Sequence, residues 1–387
     1  ITEQLAATVT LSVDISIDDT NKLHEFAISS KFDLVIIGPE APIEAGLSNL
    51  LIDSGIKVFG PTKEAGMLET SKSFAKMLMK KNNIPTAKFE VFTDIVDAKD
   101  YLDQIGFPVV IKADGLASGK GVVICNNRQQ SLNTIEMIMK DKKFGDAGNS
   151  IVIEEYLTGQ EISVFSFTDG ENFSELVAAC DYKKLFDSDL APNTGGMGAF
   201  SPPKSIHWDE DLKKTISESI ISPVIQALNL EGNPYKGILY AGLILTKEGP
   251  KVLEFNCRFG DPETQVLLPR LETDLLEIIL SINAGNLNET KVEWNDNHSI
   301  AVVLASSGYP NVFQTGYQIS GLQDLHQNIN IFHSGTKRVQ EKFVTNGGRV
   351  LTLTAISNDL ASASLLIYSN IDNVNFEGAY YRHDIGK

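Results

Sequence analysis

Glu254, Asn256 and Arg258 recur at every second position in VLEFNCRFGDPETQ, residues 252–265. Side chains alternate in an extended chain, so these three share one face, while Phe255, Cys257 and Phe259 share the other. A carboxylate and an amide oxygen one pleat apart suit Mg2+, a hard cation that takes oxygen ligands. An arginine one step further can reach a phosphoryl group held by that metal. A half-exposed strand with solvated polar residues is the plainer reading. Against it stand the apolar opposite face and the Gly-Asp-Pro-Glu turn that follows.

A second stretch, VVIKADGLASGKGVVI at 109–124, holds Gly115, Gly119 and Gly121 with Lys112 and Lys120. Glycines let backbone N–H groups come close to an anion, and lysines supply charge. It is not a P-loop. The glycine spacing is one residue short, and Gly121 stands where a hydroxyl would meet Mg2+. The run after Gly121 also reads as a strand, not a helix. The pattern predicts a hairpin whose tip closes over a ligand, with a plain glycine turn as the alternative.

Three weaker signals accompany these. IEEYLTGQE, 153–161, ends a strand with three carboxylates, and Glu154 and Tyr156 alternate there with Glu155 and Leu157. Such a segment can offer backbone groups to adenine and a carboxylate to a ribose, although an ordinary strand end looks the same. PNTGGMGAFSPP, 192–203, sits in a long loop where Asn193, Thr194 and the glycines can form a nest of backbone donors for an anion; a surface loop is the alternative. Lys72 lies near a helix N-terminus, a place that favours phosphate. The six histidines show no pairing, and Cys257 reads as packing.

The elements that must position these residues follow from periodicity. Residues 31–60 read as βαβ: strand FDLVIIG, one amphipathic helix closed by Gly55, strand IKVFG, hence a parallel sheet. One helix is expected over 64–83. A second α/β unit runs through KFEVF, FPVVIKA, GVVIC and SIVIEEYL with two helices. Next come strand EISVFSFTDG, a long loop from 181 to 204, a helix near 209–229, strands GILYAGLILT and PKVLEFNCRFG, and helix DLLEIILSINAG. From Asn297 the pattern is mostly β, with one helix, LASASLLIYSNI.

Bulk properties narrow the class. The chain has 387 residues, 42% hydrophobic and 21% charged, with a formal charge of −17. That argues against a broad nucleic-acid or membrane surface, and an anionic ligand would need local cations. The three cysteines are far apart with no C-x-x-C, so a reducing cytosol is expected over a disulfide or zinc scaffold. No apolar run has the length of a membrane span, and no signal peptide is visible. The chain opens on Ile1, and residues before it are expected.

Together, KADGLASGKGVVI, IEEYLTGQEIS, PNTGGMGAFSPP and LEFNCRFGDPETQ resemble the glycinamide ribonucleotide synthetases (phosphoribosylamine–glycine ligases), a family of the ATP-grasp superfamily. The likeness runs from about Val9 to Gly386. RFGDPETQ and NTGGMGAFSP are specific to the family, and the other motifs are shared more widely among ATP-grasp ligases. The resemblance implies an N-terminal parallel α/β domain over 1–71 whose first strand is missing, a two-part ATP-grasp over 72–290 with a lid at about 87–156, and a small β-rich C-terminal domain over 291–387. It implies ATP, Mg2+ or Mn2+, glycine and 5-phosphoribosylamine as ligands, and a cytoplasmic monomer in purine biosynthesis.

Carried over by position, Lys72 and Lys112 resemble the phosphate lysines, and Gly115, Ser118, Gly119, Lys120 and Gly121 belong to the lid loop. Glu154, Glu155, Tyr156 and Leu157 fall on the adenine hinge, and Glu161 on the ribose carboxylate. Glu254 and Asn256 match the metal ligands, and Arg258 the arginine beside the transferring phosphoryl. Asn193, Thr194, Gly195, Gly196, Gly260 and Asp261 border the substrate, and Pro39 and Glu40 approach its ribose phosphate end. Two departures stand out. The family's first strand with its G-x-G-G-R-E-H-type loop is absent, and the strand YAGLIL carries no further metal carboxylate near Gly242. The rival readings are another ATP-grasp carboxylate–amine ligase and a nucleotide-binding protein without turnover; ADP release with and without glycine separates the enzyme from the binding protein.

Overall fold

The computed structural model describes residues 13–117, 120–204 and 206–387. After α1 (Thr20–Ser29), strands β1 (Leu34–Ile36) and β2 (Lys57–Phe59) pair in parallel, Leu34 opposite Lys57, as the βαβ pattern predicts. The expected single helix between them is two, α2 (Glu40–Glu44) and α3 (Leu47–Asp53). The break falls at Gly46, whose φ of 84° is left-handed and cannot continue a helix. The helix expected over 64–83 also divides, into α4 (Lys63–Thr70) and α5 (Lys72–Lys81). Ser71 between them is extended, and its hydroxyl accepts from Phe74 N, so a new helix begins at Lys72.

The next unit holds β3 (Phe89–Phe92), α6 (Ile95–Tyr101), β4 (Val109–Ala113), β5 (Val122–Cys125), α7 (Arg128–Ile135) and β6 (Ile151–Glu155). Its sheet has the order β3-β6-β4-β5, with every pair antiparallel. β4 and β5 form the predicted hairpin, Val109 opposite Cys125.

Strands β7 (Gln160–Thr168) and β8 (Val177–Asp181) open the largest sheet. The segment 181–204, read as a loop, holds a hairpin of β9 (Lys184–Phe186) and β10 (Leu190–Asn193), then β11 (Gly198–Ser201). Strands this short give too little alternation to register as periodicity. Then come α8 (Glu210–Ile216), α9 (Ser222–Leu230), β12 (Gly237–Thr246), β13 (Gly249–Asn256), α10 (Glu263–Leu267) and α11 (Leu275–Ala284). The C-terminal part adds β14 (His298–Ser306), β15 (Ile329–His333), the hairpin β16 (Thr336–Val339) and β17 (Lys342–Thr345), β18 (Arg349–Ser357), α12 (Leu360–Tyr368) and β19 (Ala379–Tyr380). The sheet order is β13-β12-β7-β8-β11-β14-β18-β15, with β19 on β14. β11 bridges β8 and β14, so the C-terminal strands extend this sheet.

Alternation divides this sheet into two faces. Val164, Leu239, Ala241, Leu243, Val252, Phe255 and Cys257 bury against α5 and α9. Phe165, Val177, Ala179, Ala199 and Tyr240 bury on the other side, with Val266, Leu267 and Ile278 of the covering helices. Each buried Leu, Val or Phe contributes about 1.5–3 kcal/mol, so the register is strongly fixed. Beyond the covering helix the second face turns polar: Ser163 opposes Gly242, Gly242 opposes Glu254, and Tyr240 opposes Asn256.

Candidate functional site

Glu254 and Asn256 stand on that polar face, as the alternation predicts. Arg258 does not belong to the strand, which ends at Asn256. Two carboxylates of the N-terminal unit hold it instead. Its Nε lies 3.1 Å from Glu40 Oε2 and its Nη2 3.2 Å from Glu69 Oε1. The guanidinium still reaches Asn256, Nη2 donating to Oδ1 at 3.5 Å. Glu69 Oε2 also accepts from Cys257 N at 2.6 Å. Burial pushes the Glu69 carboxyl up to about 7, against the pull of Arg258. Burial opposes ionisation of Glu254 too, but Lys183, Lys112, Lys72 and Arg258 outweigh it and hold this carboxyl below its usual value. Among the described residues no three His, Cys, Asp or Glu side chains converge on a metal position. One ionised carboxylate and one amide oxygen fit a hard cation that arrives on phosphate oxygens, and they would not hold a bare ion alone.

Two lysines, Lys72 and Lys112, lie near enough to Glu254 to favour its ionised form. Lys72 Nζ donates to Gly115 O at 3.1 Å, and burial lowers its pKa while Glu254 opposes the shift. Lys112 Nζ donates to Leu253 O at 3.0 Å and lies 3.0 Å from Glu154 Oε1. Glu154 Oε2 is 3.0 Å from Lys76 Nζ, which also donates to Thr86 Oγ1 at 2.7 Å. Glu154, assigned to the hinge, therefore turns its carboxylate into a buried bridge between two lysines. An outward ribose or adenine contact by that side chain does not fit this placement. Glu155 Oε1 accepts from Lys88 N at 2.9 Å, Tyr156 is 42% exposed, and Leu157 is half-buried. Glu161 is exposed, with Lys183 Nζ 3.4 Å from its Oε2.

The glycine loop starts at Asp114, whose carboxylate accepts from Ser71 Oγ, Ser73 N, Ser73 Oγ and Ser150 Oγ. Burial raises this carboxyl, but those bonds prevail and lower it. At two of the loop glycines the requirement is space, not a left-handed φ. A β-carbon on Gly115 would lie 2.9 Å from Ala147 Cβ, and one on Gly121 2.6 Å from Ala117 Cβ. Lys120 is exposed. Ser118 and Gly119 lie outside the described residues.

The NTGGMG segment is not an open nest. Thr194 N donates to Lys183 O, Gly195 N to Tyr309 Oη, Gly196 N to Thr194 Oγ1 and Met197 N to Tyr182 O. These donors are used internally, so an anion would find none of them free. Asn193 is exposed. Asp261 Oδ1 accepts from Gln265 Nε2 at 2.8 Å, and Oδ2 lies 3.2 Å from Arg349 Nη2. Gly260 leaves room for Glu263, whose Oε2 would be 2.6 Å from a β-carbon there. Pro39 precedes α2, and Glu40 is engaged by Arg258.

Sequence reasoning passed over Glu69, Lys76, Asp181, Lys183, Glu263 and Arg349. Tyr240 Oη donates to Glu263 Oε1 at 2.8 Å, and burial together with Asp181 pushes Glu263 up to about 7. Burial raises Asp181 as well, and Asp181 in turn raises the pKa of Lys183. Charged residues directly after an apolar strand, as in VAACDYKK, were the available signal.

Residues 70–264 match the family described as "Phosphoribosylglycinamide synthetase, ATP-grasp (A) domain", residues 2–69 its N domain and residues 299–387 its C domain. The chain is 46% identical over 373 residues to the phosphoribosylamine–glycine ligase of Caldanaerobacter subterraneus subsp. tengcongensis, spanning 96% of this chain and 89% of that one. The crystal structure of phosphoribosylamine–glycine ligase from Thermotoga maritima superposes with a TM-score of 0.83 at 34% identity, over 93% of this chain and 88% of that chain. A biotin carboxylase from Campylobacter jejuni shares the fold, with a TM-score of 0.73 at 16% identity over 94% of this chain and 80% of that chain.

Proposed function

The chain belongs to the phosphoribosylglycinamide synthetase family, and from that premise we propose how its residues join glycine to 5-phosphoribosylamine to give glycinamide ribonucleotide for purine biosynthesis. The glycine carboxylate attacks the γ-phosphorus of ATP, and ADP leaves with the bridging oxygen. The amine of phosphoribosylamine then attacks the glycyl phosphate carbonyl. The amide forms, phosphate departs with the former carboxylate oxygen, and the amine loses a proton.

In this reading Lys72 and Lys112 hold the phosphates, and Arg258 faces the phosphoryl in transfer, fixed by Glu40 and Glu69. Glu254 and Asn256 would hold Mg2+ or Mn2+, which neutralises phosphate charge when bound. Residues 153–161 flank the nucleotide, loop 115–121 covers it, and Asn193–Gly196 with Gly260 and Asp261 border glycine and the amine. Positioning and charge neutralisation then do what a covalent enzyme intermediate does elsewhere. Cys257 points into the apolar core and is not available as a nucleophile. We keep the division into 1–71, 72–290 and 291–387, and a monomer. No described helix is long and apolar enough to cross a membrane. The free cysteines support a reducing cytosol as the place of work.

The observation that carries this reading is the positive field of Lys183, Lys112, Lys72 and Arg258, which holds the buried Glu254 carboxyl below its usual value. Glycine labelled with 18O in its carboxylate tests it. One labelled oxygen per turnover should appear in phosphate and none in ADP. AMP and pyrophosphate as products would point to an adenylating ligase. Nucleotide binding without glycine-dependent ADP release would leave a protein that only binds.

A further inference from the structure

We infer that Arg349 and Tyr309, from the C-terminal part of the chain, are positioning residues of the substrate pocket. Arg349 Nη1 donates to Gly195 O at 2.9 Å, Gly196 O at 3.4 Å and Asp261 O at 2.7 Å, while Nη2 lies 3.2 Å from Asp261 Oδ2. One guanidinium therefore ties together two segments that are more than sixty residues apart in sequence. Tyr309 Oη accepts from Gly195 N at 2.9 Å, so both polar groups of that peptide region are held from the C-terminal side.

Glycines make this clamp possible. A β-carbon on Gly195 would lie 3.0 Å from Arg349 Cζ. One on Gly196, where φ is 117°, would lie 2.4 Å from Pro262 Cδ. One on Gly348 would lie 2.3 Å from the Tyr309 ring. The two glycines just before β18 thus let the Tyr309 ring come close to the backbone beside Arg349. A planar donor fork with several acceptors in reach fixes direction as well as distance, which lysine cannot do.

Arg349 makes no hydrogen bond or ion pair with Lys72, Lys112 or Glu254, so its effect falls on the side of the pocket assigned to glycine and the amine. This rests on the functional reading above. Its test is the split between substrates. Arg349→Met should raise KM for both glycine and 5-phosphoribosylamine at least tenfold and leave the dissociation constant of a non-hydrolysable ATP analogue within twofold of wild type. Arg349→Lys should recover part of the change. Tyr309→Phe, which removes one acceptor without opening a cavity, should shift the same constants in the same direction by less. Unchanged Michaelis constants in a wild-type-like background, or nucleotide affinity falling in step with them, would overturn the inference. Absence of glycine-dependent ADP release from the wild-type chain would overturn the parent reading and this one with it.

Discussion

Glu254 lies across β12 against Gly242, its Cγ 3.3 Å from where a β-carbon on Gly242 would stand. The missing side chain on the neighbouring strand thus leaves room for the methylene stem of Glu254. Gly242→Ala should displace Glu254 by a few tenths of an ångström without disturbing the buried opposite face. We expect the Mg2+ concentration for half-maximal activity to rise several-fold while circular dichroism stays unchanged. Glu254→Gln, which removes the charge and keeps the shape, should lower turnover by about two decades or more. Near-normal turnover of that variant at saturating Mg2+ would remove Glu254 from the metal site.

One carboxylate, Glu154, serves two lysines whose side chains are 3% and 7% exposed. That asymmetry sets an order of damage. Lys76→Met leaves Glu154 paired with Lys112, and should lower stability by about 3 kcal/mol, the low end for breaking a buried pair. Glu154→Gln leaves two cations facing one neutral amide, and should be worse. Thermal unfolding of the two variants decides the order. Equal midpoints for the two variants would overturn that order, and midpoints equal to wild type would mean that the bridge carries little net stability.

Lys120 is exposed and sits on the loop proposed to cover the nucleotide. Closure over ATP should shield it. Its acylation by an amine-reactive reagent, followed by peptide mass spectrometry, should slow at least threefold when an Mg2+–ATP analogue is added. An unchanged rate would speak against a covering loop.

How legible this was in the sequence depends on what kind of signal each residue leaves. Glu254 and Asn256 follow from strand alternation, because Phe255 and Cys257 mark the buried face unambiguously. The β4–β5 hairpin follows from two apolar runs around glycines. Arg258 does lie beside Asn256, but Glu40 and Glu69 hold it there and a pleat does not. Lys76 and Arg349 left no local trace. Their partners, Glu154 and Gly195, are 78 and 154 residues away in sequence, and a lysine in a helix or an arginine at a strand start looks solvated until the fold closes. The nest expected at NTGGMG is closed largely for the same reason: Thr194 N and Met197 N find acceptors between β8 and β9 and Gly195 N finds Tyr309, while only Gly196 N bonds locally, to Thr194.

Glu263 gives a pH dependence whose sign follows from its surroundings. Burial and the nearby Asp181 raise its carboxyl from 4.5 to about 7, although the Tyr240 hydroxyl favours the anion. In the unfolded chain it ionises near 4.5. Between those values the unfolded state has released a proton that the folded state still holds, so stability falls as pH rises from about 4.5 to about 7, and the penalty is complete above 7. Glu263→Gln keeps an acceptor for Tyr240 and removes the titration. The variant should match wild type in unfolding midpoint near pH 5 and exceed it at pH 8. A gap that does not change with pH, or one that favours wild type at pH 8, would show that Glu263 titrates normally. The wild-type chain keeps an acid that destabilises it at neutral pH, and perturbed groups of this kind gather at working sites. Activity of Glu263→Gln should therefore fall, by at least tenfold in kcat/KM for glycine, under the same alkaline conditions in which its stability gain is largest.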